Sequence, residues 1–287
     1  MNRSRLLSTS TVAWPTCALG AWAAAWLTGR CSPDDVIEAL AESADRHVMH
    51  WADSPTPMVE QGSPTRPSTN GILDLLALLR PAHRLVVRLP STGDPQGLPP
   101  HPATSAALGA GEVLLVDATG AGTLALVPAF TATARSADDP SFVTCTWSAY
   151  RYDAALDLGH LVSAGPSAGD LEYELRQAVR EATSIIGGLG GRRSADASDL
   201  RTQLAALTTR HRVALPPHLL DARSTRLIDT AAQVEAIVDL AGAHNVEMGD
   251  SAGQWDSGDA TLRGLQILTR TARAAAVNQT ILELLRH

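Results

Sequence analysis

The sequence predicts a mixed α+β fold, in which a small antiparallel or mixed sheet of about four strands is flanked by helices and followed by an all-helical carboxy-terminal half. Strand-like segments lie among short helices before Gly169, whereas the apolar segments after it keep a helical period. A hydrophobic content of 45% in 287 residues is enough to bury a substantial core. We therefore divide the chain into an α+β domain over residues 1–168 and a helical region over residues 169–287, which could pack on the sheet as one unit.

The composition excludes several classes of enzyme. All 23 basic residues are arginine, because the sequence contains no lysine. A lysine Schiff base, a P-loop lysine and a kinase lysine are therefore absent, and no cofactor is predicted. The formal net charge is -7, with -8 over residues 1–175 and +1 over residues 176–287. Because neither half has the basic excess that neutralises phosphates, we expect no nucleic-acid partner.

The three cysteines, Cys17, Cys31 and Cys145, are not spaced as metal ligands or as a redox pair. No two of them form a Cys-x-x-Cys motif, and an odd number cannot complete a disulfide framework. On a predicted strand, Cys145 shares the apolar face with Val143 and Trp147, which indicates a core position. We interpret the cysteines as reduced and mostly buried thiols, and no metal site is expected.

Residues 11–28 admit three interpretations. Between Arg5 and Arg30 lie 24 residues without a charge, and a basic start precedes an apolar run, as in a signal peptide. The run is rich in alanine and is interrupted by Pro15, so it is less apolar than a membrane-spanning helix requires. We prefer a core helix over a cleaved signal or a membrane anchor, because the run has an apolar stripe and a second face of small residues. The stripe is Leu19, Trp22 and Trp26, and the second face is Cys17, Gly20, Ala24 and Leu27.

A second helix is predicted to begin after Ser32 and to extend over residues 36–51. Ser32 is a suitable N-cap, proline follows at the first helical position, and two aspartates stand near the positive end of the helix. On this helix His47 and His50 would lie at positions i and i+3, a spacing that can place two imidazoles on one metal ion. No third ligand is identifiable, so we prefer a surface pair near the carboxy end of the helix.

The other segments have recognisable strand and helix patterns. Four segments are rich in β-branched and apolar residues, and two of them flank a short glycine-bearing turn, as in a hairpin. The predicted strands are residues 83–89, 112–117, 123–127 and 141–150. The predicted helices are residues 71–80 and 103–108, and then segments near residues 170–186, 198–211, 224–242 and 258–286.

Residues 85–98, with the sequence LVVRLPSTGDPQGL, resemble a signature in a family of uncharacterised proteins from high-GC actinobacteria. The helix start at residues 29–35 and the alanine- and arginine-rich carboxy-terminal helices extend the likeness over most of the chain. Ser91 and Thr92 stand where a more apolar Val-Pro pair would be expected. No activity is known for the family, so the resemblance transfers no catalytic residue. It implies a soluble cytoplasmic protein, and the missing lysine fits a GC-rich source.

The loop over residues 90–102 is the predicted binding site. Its glycines and prolines restrict the backbone conformation directly after a strand. Binding residues often lie on such loops, which a rigid scaffold holds in position. Arg88 precedes this loop, Asp94 lies within it and His101 lies near its end. The alternative is a structural turn in which Asp94 bonds to nearby backbone amides. We take Arg88, Asp94 and His101 as candidate binding residues and predict no catalytic residue.

Residues 165–169, with the sequence GPSAG, match the nucleophile elbow of serine hydrolases, with Ser167 as the nucleophile. Residues 161–162 could form the short strand before the turn, and acids such as Asp239 precede His244, so the order of a triad is available. An α/β-hydrolase also needs parallel strands after the nucleophile, whereas the sequence that follows is helical. We therefore prefer a turn before a capped helix.

These observations favour a non-enzymatic binding or protein–protein interaction protein in the cytoplasm. A helix-rich surface patterned with arginine and small residues suits a protein partner. Two alternatives stay open: a serine hydrolase that uses Ser167, and a membrane- or envelope-associated protein held by residues 11–28. The sequence predicts neither the identity of the partner nor the oligomeric state.

Overall fold

A computed structural model describes residues 14–52, 71–119, 122–133, 142–190, 197–216, 222–243 and 252–286, without the side chains of residues 181–190, 197–198 and 252–259. Nine helices and five strands lie in these ranges. The helices are α1 (Pro15–Leu27), α2 (Pro33–Ala41), α3 (Gly71–Leu79), α4 (Pro102–Ala110), α5 (Leu158–Ser163), α6 (Ala168–Gly190), α7 (Ala197–Arg210), α8 (Ala222–Ala243) and α9 (Ala252–Leu285). The strands are β1 (Arg46–Trp51), β2 (Ala82–Arg88), β3 (Val113–Ala118), β4 (Gly122–Thr133) and β5 (Phe142–Arg151).

The strands form one mixed sheet in the order β1-β5-β4-β3-β2. β1 is parallel to β5, and the other neighbouring pairs are antiparallel. Along β5, Val143, Cys145 and Trp147 are buried, while the residues between them are partly exposed, as their alternation predicts. The described backbone after Gly169 contains helices and irregular segments but no strand. The mixed α+β class with a helical carboxy-terminal part is therefore confirmed.

The sheet has one strand more than predicted, because residues 46–51 form β1 rather than the end of the second helix. Helix α2 begins as predicted after Ser32, whose side chain takes part in a capping box, but it ends at Ala41. Asp45 then accepts a hydrogen bond of 2.7 Å from the N–H of Val143, which holds the start of β1 beside β5. The prediction that the second helix continues to residue 51 was therefore wrong.

The larger core lies on one face of the sheet, against α1, α2, α3 and α9. Trp147 of β5 is fully buried there, and its indole N–H donates to Nδ1 of His47 at 3.1 Å. Nε2 of His47 lies 3.0 Å from the carbonyl oxygen of Leu40, to which it donates as a neutral imidazole. Burial lowers the pKa of His47, which favours the same neutral form. His47 is thus a core residue that links α2, β1 and β5.

Helix α1 lies in the core over the described part of residues 11–28. Ten of its thirteen residues are buried. A β-carbon at Gly20 would lie 2.9 Å from Cδ1 of Ile281 and 3.2 Å from Cδ1 of Leu114. The small residues of α1 therefore allow α9 and the sheet to approach it closely. Among the helices of the described ranges, none is long and apolar enough to cross a membrane.

The carboxy-terminal helices pack on one another and on the sheet. Helices α6, α7 and α9 all pack against α8, with an apolar cluster that includes Ala178, Val234 and Leu265. Helix α9 also crosses the edge strand β2. There the N–H of Val87 donates to Oδ1 of Asn278 at 2.7 Å, and Nδ2 of Asn278 donates to the Val87 carbonyl at 2.9 Å. The Asn278 amide thus pairs with the sheet edge as a neighbouring strand would.

A buried cluster of charged side chains joins α8 and α9 and packs against Trp14, the residue before α1. Arg273 is fully buried and donates a short hydrogen bond to Glu235. The guanidinium carbons of Arg273 and Arg270 lie 4.5 and 5.0 Å from the centre of the Trp14 indole ring. Arg270 also donates to the carbonyl of Gly111 at 3.0 Å. Because a buried charge is costly unless it is paired, the pairing of Arg273 with Glu235 supports the contact between α8 and α9.

Candidate functional site

A cavity of about 500 Å³ lies where the sheet meets the carboxy-terminal helices. Its walls are the end of β2 with the loop that follows, the turn between α5 and α6, the start of α8 and the second half of α9. Two features that the sequence singled out, Arg88 and the GPSAG turn, therefore meet at one cavity. The charged and amide-bearing residues of its lining are Arg88, Gln96, Arg223, Asn278, Gln279 and Glu283.

Arg88 is the last residue of β2 and the cation predicted for a binding site. Its Nη2 donates to the carbonyl of Leu161, whereas its Nε is buried without an acceptor. Burial lowers the pKa of Arg88, and the nearby carboxylate of Asp94 opposes that shift. The guanidinium stays charged, because arginine is not deprotonated in proteins. Arg88 therefore brings a positive charge to the lining of the cavity, with its Nε–H buried behind the surface and unpaired.

Gln96 lies on the same wall and was not predicted. Its backbone is left-handed, with φ of 51°, which costs a non-glycine residue roughly 1–2 kcal/mol. Its Oε1 accepts a hydrogen bond of 2.9 Å from the N–H of Leu89, and its Nε2 is buried without an acceptor. An unpaired buried donor costs about 1–3 kcal/mol. Gln96 thus combines an unpaired donor with backbone strain, and strained backbone clusters at functional positions.

Asp94 is a predicted binding residue that shapes the loop instead of lining the cavity. Asp94 and Ser91 exchange two backbone hydrogen bonds of 2.9 Å and so close a tight turn. Oδ1 of Asp94 accepts a hydrogen bond of 3.0 Å from the backbone N–H of Gln96. This is the structural role considered from the sequence, and its effect is to hold Gln96 in place.

His101, the third predicted binding residue, is the N-cap of α4. Its Nδ1 accepts a hydrogen bond of 3.1 Å from the N–H of Ala103, and its ring centre lies 4.5 Å from that of Tyr152. Its side chain therefore belongs to the helix start and packs on Tyr152, which lies in a smaller apolar core with Val86 and Leu115 on the other face of the sheet. The structure does not bring the three predicted residues together at the cavity, since Arg88 alone of them lines it.

The helical wall supplies paired polar groups and apolar surface. Nη2 of Arg223 donates to Oε2 of Glu172 at 2.9 Å. Nε2 of Gln279 donates to Oε1 of Glu283 at 2.7 Å, and the amide of Asn278 is committed to β2. The uncommitted donors named above therefore stand on the sheet side. The apolar residues of the lining include Val162, Leu227, Ala275 and Ala276.

Ser167 lies in the turn between α5 and α6. The strand suggested before this turn is absent, because that segment is helix α5. Oγ of Ser167 donates to Oδ2 of Asp170 at 2.6 Å and accepts a hydrogen bond of 3.2 Å from the Asp170 N–H, which is the geometry of a helix N-cap. Of the triad candidates, Asp239 binds Nε2 of His211 at 2.8 Å, and His244 lies outside the described residues.

His47 and His50 do not form the predicted helical pair. They lie three residues apart on strand β1, so their side chains face opposite sides of the sheet. Both readings of the pair, as metal ligands and as a surface pair at a helix end, were therefore wrong. In the part of the chain that the structure describes, no group of three or more metal-ligating residues is placed to hold a metal ion.

Sequence comparison relates both parts of the chain to one family. Residues 16–158 match the family model for the Rv1486c-like protein, N-terminal domain, and residues 169–274 match that for its C-terminal domain. Uncharacterized protein MT1533 of Mycobacterium tuberculosis strain CDC 1551 is 31% identical over 92% of this chain and 96% of its own length. Uncharacterized protein Rv1486c of strain H37Rv has the same identity and coverage, and uncharacterized protein ML1804 of Mycobacterium leprae is 28% identical over the same shares. No solved structure gives a significant match.

Proposed function

The chain belongs to the Rv1486c-like protein family, and we propose that it is a non-enzymatic binding protein that holds a small ligand in the cavity between its sheet and its carboxy-terminal helices. One observation carries the proposal: Arg88 and Gln96, which both line this cavity, each keep a buried N–H group without an acceptor. Leaving such donors unpaired is unfavourable, so their presence at one cavity supports a ligand that accepts hydrogen bonds from them.

The position and size of the cavity support the same function. The two family-model matches end at residue 158 and begin at residue 169, and Val162, Pro166 and Ala168 from the intervening segment line the cavity. Ligand sites occur preferentially between domains, where apolar walls carry a few polar groups. A volume of about 500 Å³ also falls within the range of roughly 300–1,000 Å³ that small-molecule sites occupy.

The chemistry of the lining supports binding rather than catalysis. General acid–base catalysis needs a group that titrates near the working pH, most often histidine. The lining that the structure describes contains neither histidine nor cysteine, and its carboxylate, Glu283, already accepts a hydrogen bond from Gln279. The hydroxyl of Ser167 is committed to Asp170.

Filling the mouth of the cavity tests the proposal. Ala168 is exposed at the cavity wall, so Ala168→Trp should block entry without disturbing the core. Ala206→Trp, at an exposed position on α7, is the matched control. We expect small fragments detected by ligand-observed NMR to bind wild type and Ala206→Trp, and to lose at least about tenfold in affinity for Ala168→Trp, because the indole occupies their site. Equal affinity for all three proteins, or no fragment binding at all, would overturn the proposal.

The protein partner and the cytoplasmic location stay predictions. The three cysteines are free thiols, and Cys17 and Cys145 are buried, which supports a reducing compartment. Fractionation of the source cells, with detection by antibody, tests the location. Recovery of the chain from membranes or from the medium would show that it is wrong.

A further inference from the structure

We propose that the ligand is a small organic anion with an apolar body, and that its carboxylate or phosphate group is bound by Arg88 and Gln96. This inference rests on the proposed function, because it names the chemistry of the ligand for the same cavity. Three features support the inference. They are the charge of the cavity wall, the chemistry of its unpaired polar groups and the position of its apolar surface.

The sheet side of the cavity carries a positive charge that is only partly balanced. The charged residues of the lining are Arg88, Arg223 and Glu283. Arg223 on the helical side is paired with Glu172 at 2.9 Å. Asp94 is the carboxylate that acts on Arg88, but it is engaged with the backbone of the loop and does not line the cavity. The carboxylate of the lining, Glu283, lies on α9 on the helical side. An anionic group that binds on the sheet side therefore meets the guanidinium of Arg88 rather than this carboxylate.

Two polar atoms of the sheet-side residues are buried without a partner, and both are donors. They are Nε of Arg88 and Nε2 of Gln96, whereas the acceptor of the same amide, Oε1, is already used by the N–H of Leu89. A carboxylate or phosphate offers several acceptor oxygens and can bond to both donors, while an ammonium group can bond to neither. Water reaches neither atom in the structure, so binding requires a small rotation of the two side chains toward the cavity.

The helical side suits the apolar body of the same molecule. Leu227 from α8 lies there with Ala275 and Ala276 from α9, and Val162 completes the apolar wall from α5. A head group alone, such as inorganic phosphate, would leave this surface in contact with water. An amphipathic anion would cover it, and burial of apolar surface is favourable. We therefore expect an anion with a hydrocarbon part to bind more tightly than inorganic phosphate.

A matched series of probes tests the head-group chemistry. Octanoate, octyl phosphate, octanol and octylamine share one alkyl chain and differ only in the polar group. Isothermal titration calorimetry with the full-length protein at pH 7.5 should show one site for octanoate or octyl phosphate, at least about tenfold tighter than octanol, because hydrogen bonds to charged groups are stronger than neutral ones. Octylamine should not bind. The preferred anion decides whether the natural ligand is a carboxylate or a phosphate.

Two variants test the residues. Arg88→Met removes the charge, and Gln96→Glu keeps the oxygen that accepts from Leu89 while placing a negative charge where the uncommitted donor stands. Each should weaken binding of the preferred anion by about tenfold or more. Arg263→Met removes an exposed arginine from α9 away from the lining and should leave the affinity unchanged.

The outcomes separate this inference from the proposed function. Anion affinity that is unchanged in both Arg88→Met and Gln96→Glu would overturn the inference, as would absence of binding by both anions. If octanol binds as tightly as the anions and Ala168→Trp weakens its binding, the cavity is a binding site but it does not select anions. If Ala168→Trp does not affect binding of the probes, they bind elsewhere and the proposed function of this cavity is wrong.

Discussion

Glu112 is a buried carboxyl group at the centre of the contacts among α1, α9 and β3. Desolvation by burial raises its pKa to about 7 from an ordinary value of 4.5. Its Oε2 accepts hydrogen bonds from the N–H and the hydroxyl of Thr16, at 3.0 and 2.6 Å, and these bonds oppose the shift. Arg270 and Arg273 lower the pKa further, but burial has the larger effect. Protonation of Glu112 therefore favours the folded chain.

We expect the contribution of Glu112 to stability to be full below about pH 4.5 and to be lost as the pH rises through about 7, because the folded-state pKa lies above the unfolded one. A pKa difference of this size corresponds to roughly 3 kcal/mol. Urea unfolding of wild type and Glu112→Gln, which cannot titrate at this position, measures the effect. Between about pH 4.5 and about pH 7, wild type should lose stability relative to Glu112→Gln. A difference between the two proteins that does not change with pH would show that the pKa is not raised.

The residues of the cavity were only partly predictable. Arg88 could be found because a charge at the end of an apolar strand, before a stiff loop, stands out in the sequence. Gln96 could not, because its role depends on a left-handed backbone and on a bond to Leu89, and neither leaves a pattern. His101 does not line this cavity, and Pro102 at the first helical position already indicates that the residue before it is an N-cap.

Two helices of the chain begin with a serine that is followed three residues later by aspartate. Ser32 caps α2 and Ser167 caps α6, in each case through a hydrogen bond with the backbone N–H of that aspartate. We expect Ser32→Ala and Ser167→Ala each to lower the free energy of unfolding by about 1 kcal/mol. Ser105→Ala, at an exposed position within α4, should have little effect. Equal stability of Ser167→Ala and wild type would show that this hydroxyl does not cap the helix.

The same variant tests the serine-hydrolase alternative, which stays a prediction. A fluorophosphonate probe that labels wild type but not Ser167→Ala would establish Ser167 as a nucleophile. We expect no labelling of either protein, because a nucleophilic serine needs an adjacent general base, whereas this hydroxyl bonds to Asp170.

Gly71, the first residue of α3, lies directly against strand β1. A β-carbon there would lie 2.1 Å from the carbonyl oxygen of His47 and 2.8 Å from Cα of Val48, and backbone atoms cannot rotate away. We expect Gly71→Ala to lower the free energy of unfolding by about 3 kcal/mol. Gly264→Ala, on α9 with open space around it, should raise it by up to about 1 kcal/mol. Urea unfolding compares the two, and a stabilising Gly71→Ala would show that α3 does not approach β1 this closely.

The helices after Gly169 could be predicted because their apolar residues repeat with a helical period over long segments. Strand β1 could not be predicted in this way. Its six residues follow α2 without a glycine or proline, and its partner β5 lies about a hundred positions later in the chain, with Arg46 opposite Thr144. Such pairing is decided by contacts that are distant in sequence, so local preference did not show it.

The sheet and the carboxy-terminal helices share one core. Leu114 of β3 and Leu126 of β4 belong to the same apolar cluster as Val277 and Ile281 of α9. We expect a single unfolding transition, because neither part can keep this core without the other. Tryptophan fluorescence, which reports mainly on the first part, and circular dichroism at 222 nm, which reports mainly on the helices, should give the same urea midpoint. Two separate midpoints would show that the parts fold independently.

Asn278 is the most specific contact between the two parts. Replacing it with leucine would leave the N–H and the carbonyl of Val87 buried and unpaired. We expect Asn278→Leu to lower the free energy of unfolding by about 3 kcal/mol. Asn278→Asp keeps the acceptor but loses the donor and buries a charge beside the Val87 carbonyl, so it should also be destabilised. Urea unfolding measures both, and a fully stable Asn278→Leu would show that the amide does not pair with β2.

The joining of the two parts could not be predicted from the sequence. Asn278 and Val87 are 191 positions apart. No local pattern around an asparagine in an apolar helix predicts which strand its side chain contacts. The cavity depends on the same packing, because its walls come from four segments that are distant along the chain. Residue types suggested Arg88, but its surroundings became visible only from the packed structure.

NMR observation of the Arg88 Nε–H group, with the side-chain amide of Gln96, tests ligand binding most directly. The two signals are assigned by their loss in Arg88→Met and Gln96→Glu. During titration with whichever of octanoate and octyl phosphate binds more tightly, both signals should move and should saturate with the affinity found by calorimetry. Signals that stay in place while the anion binds and other resonances move would show that the ligand binds elsewhere, and that this cavity is not its site.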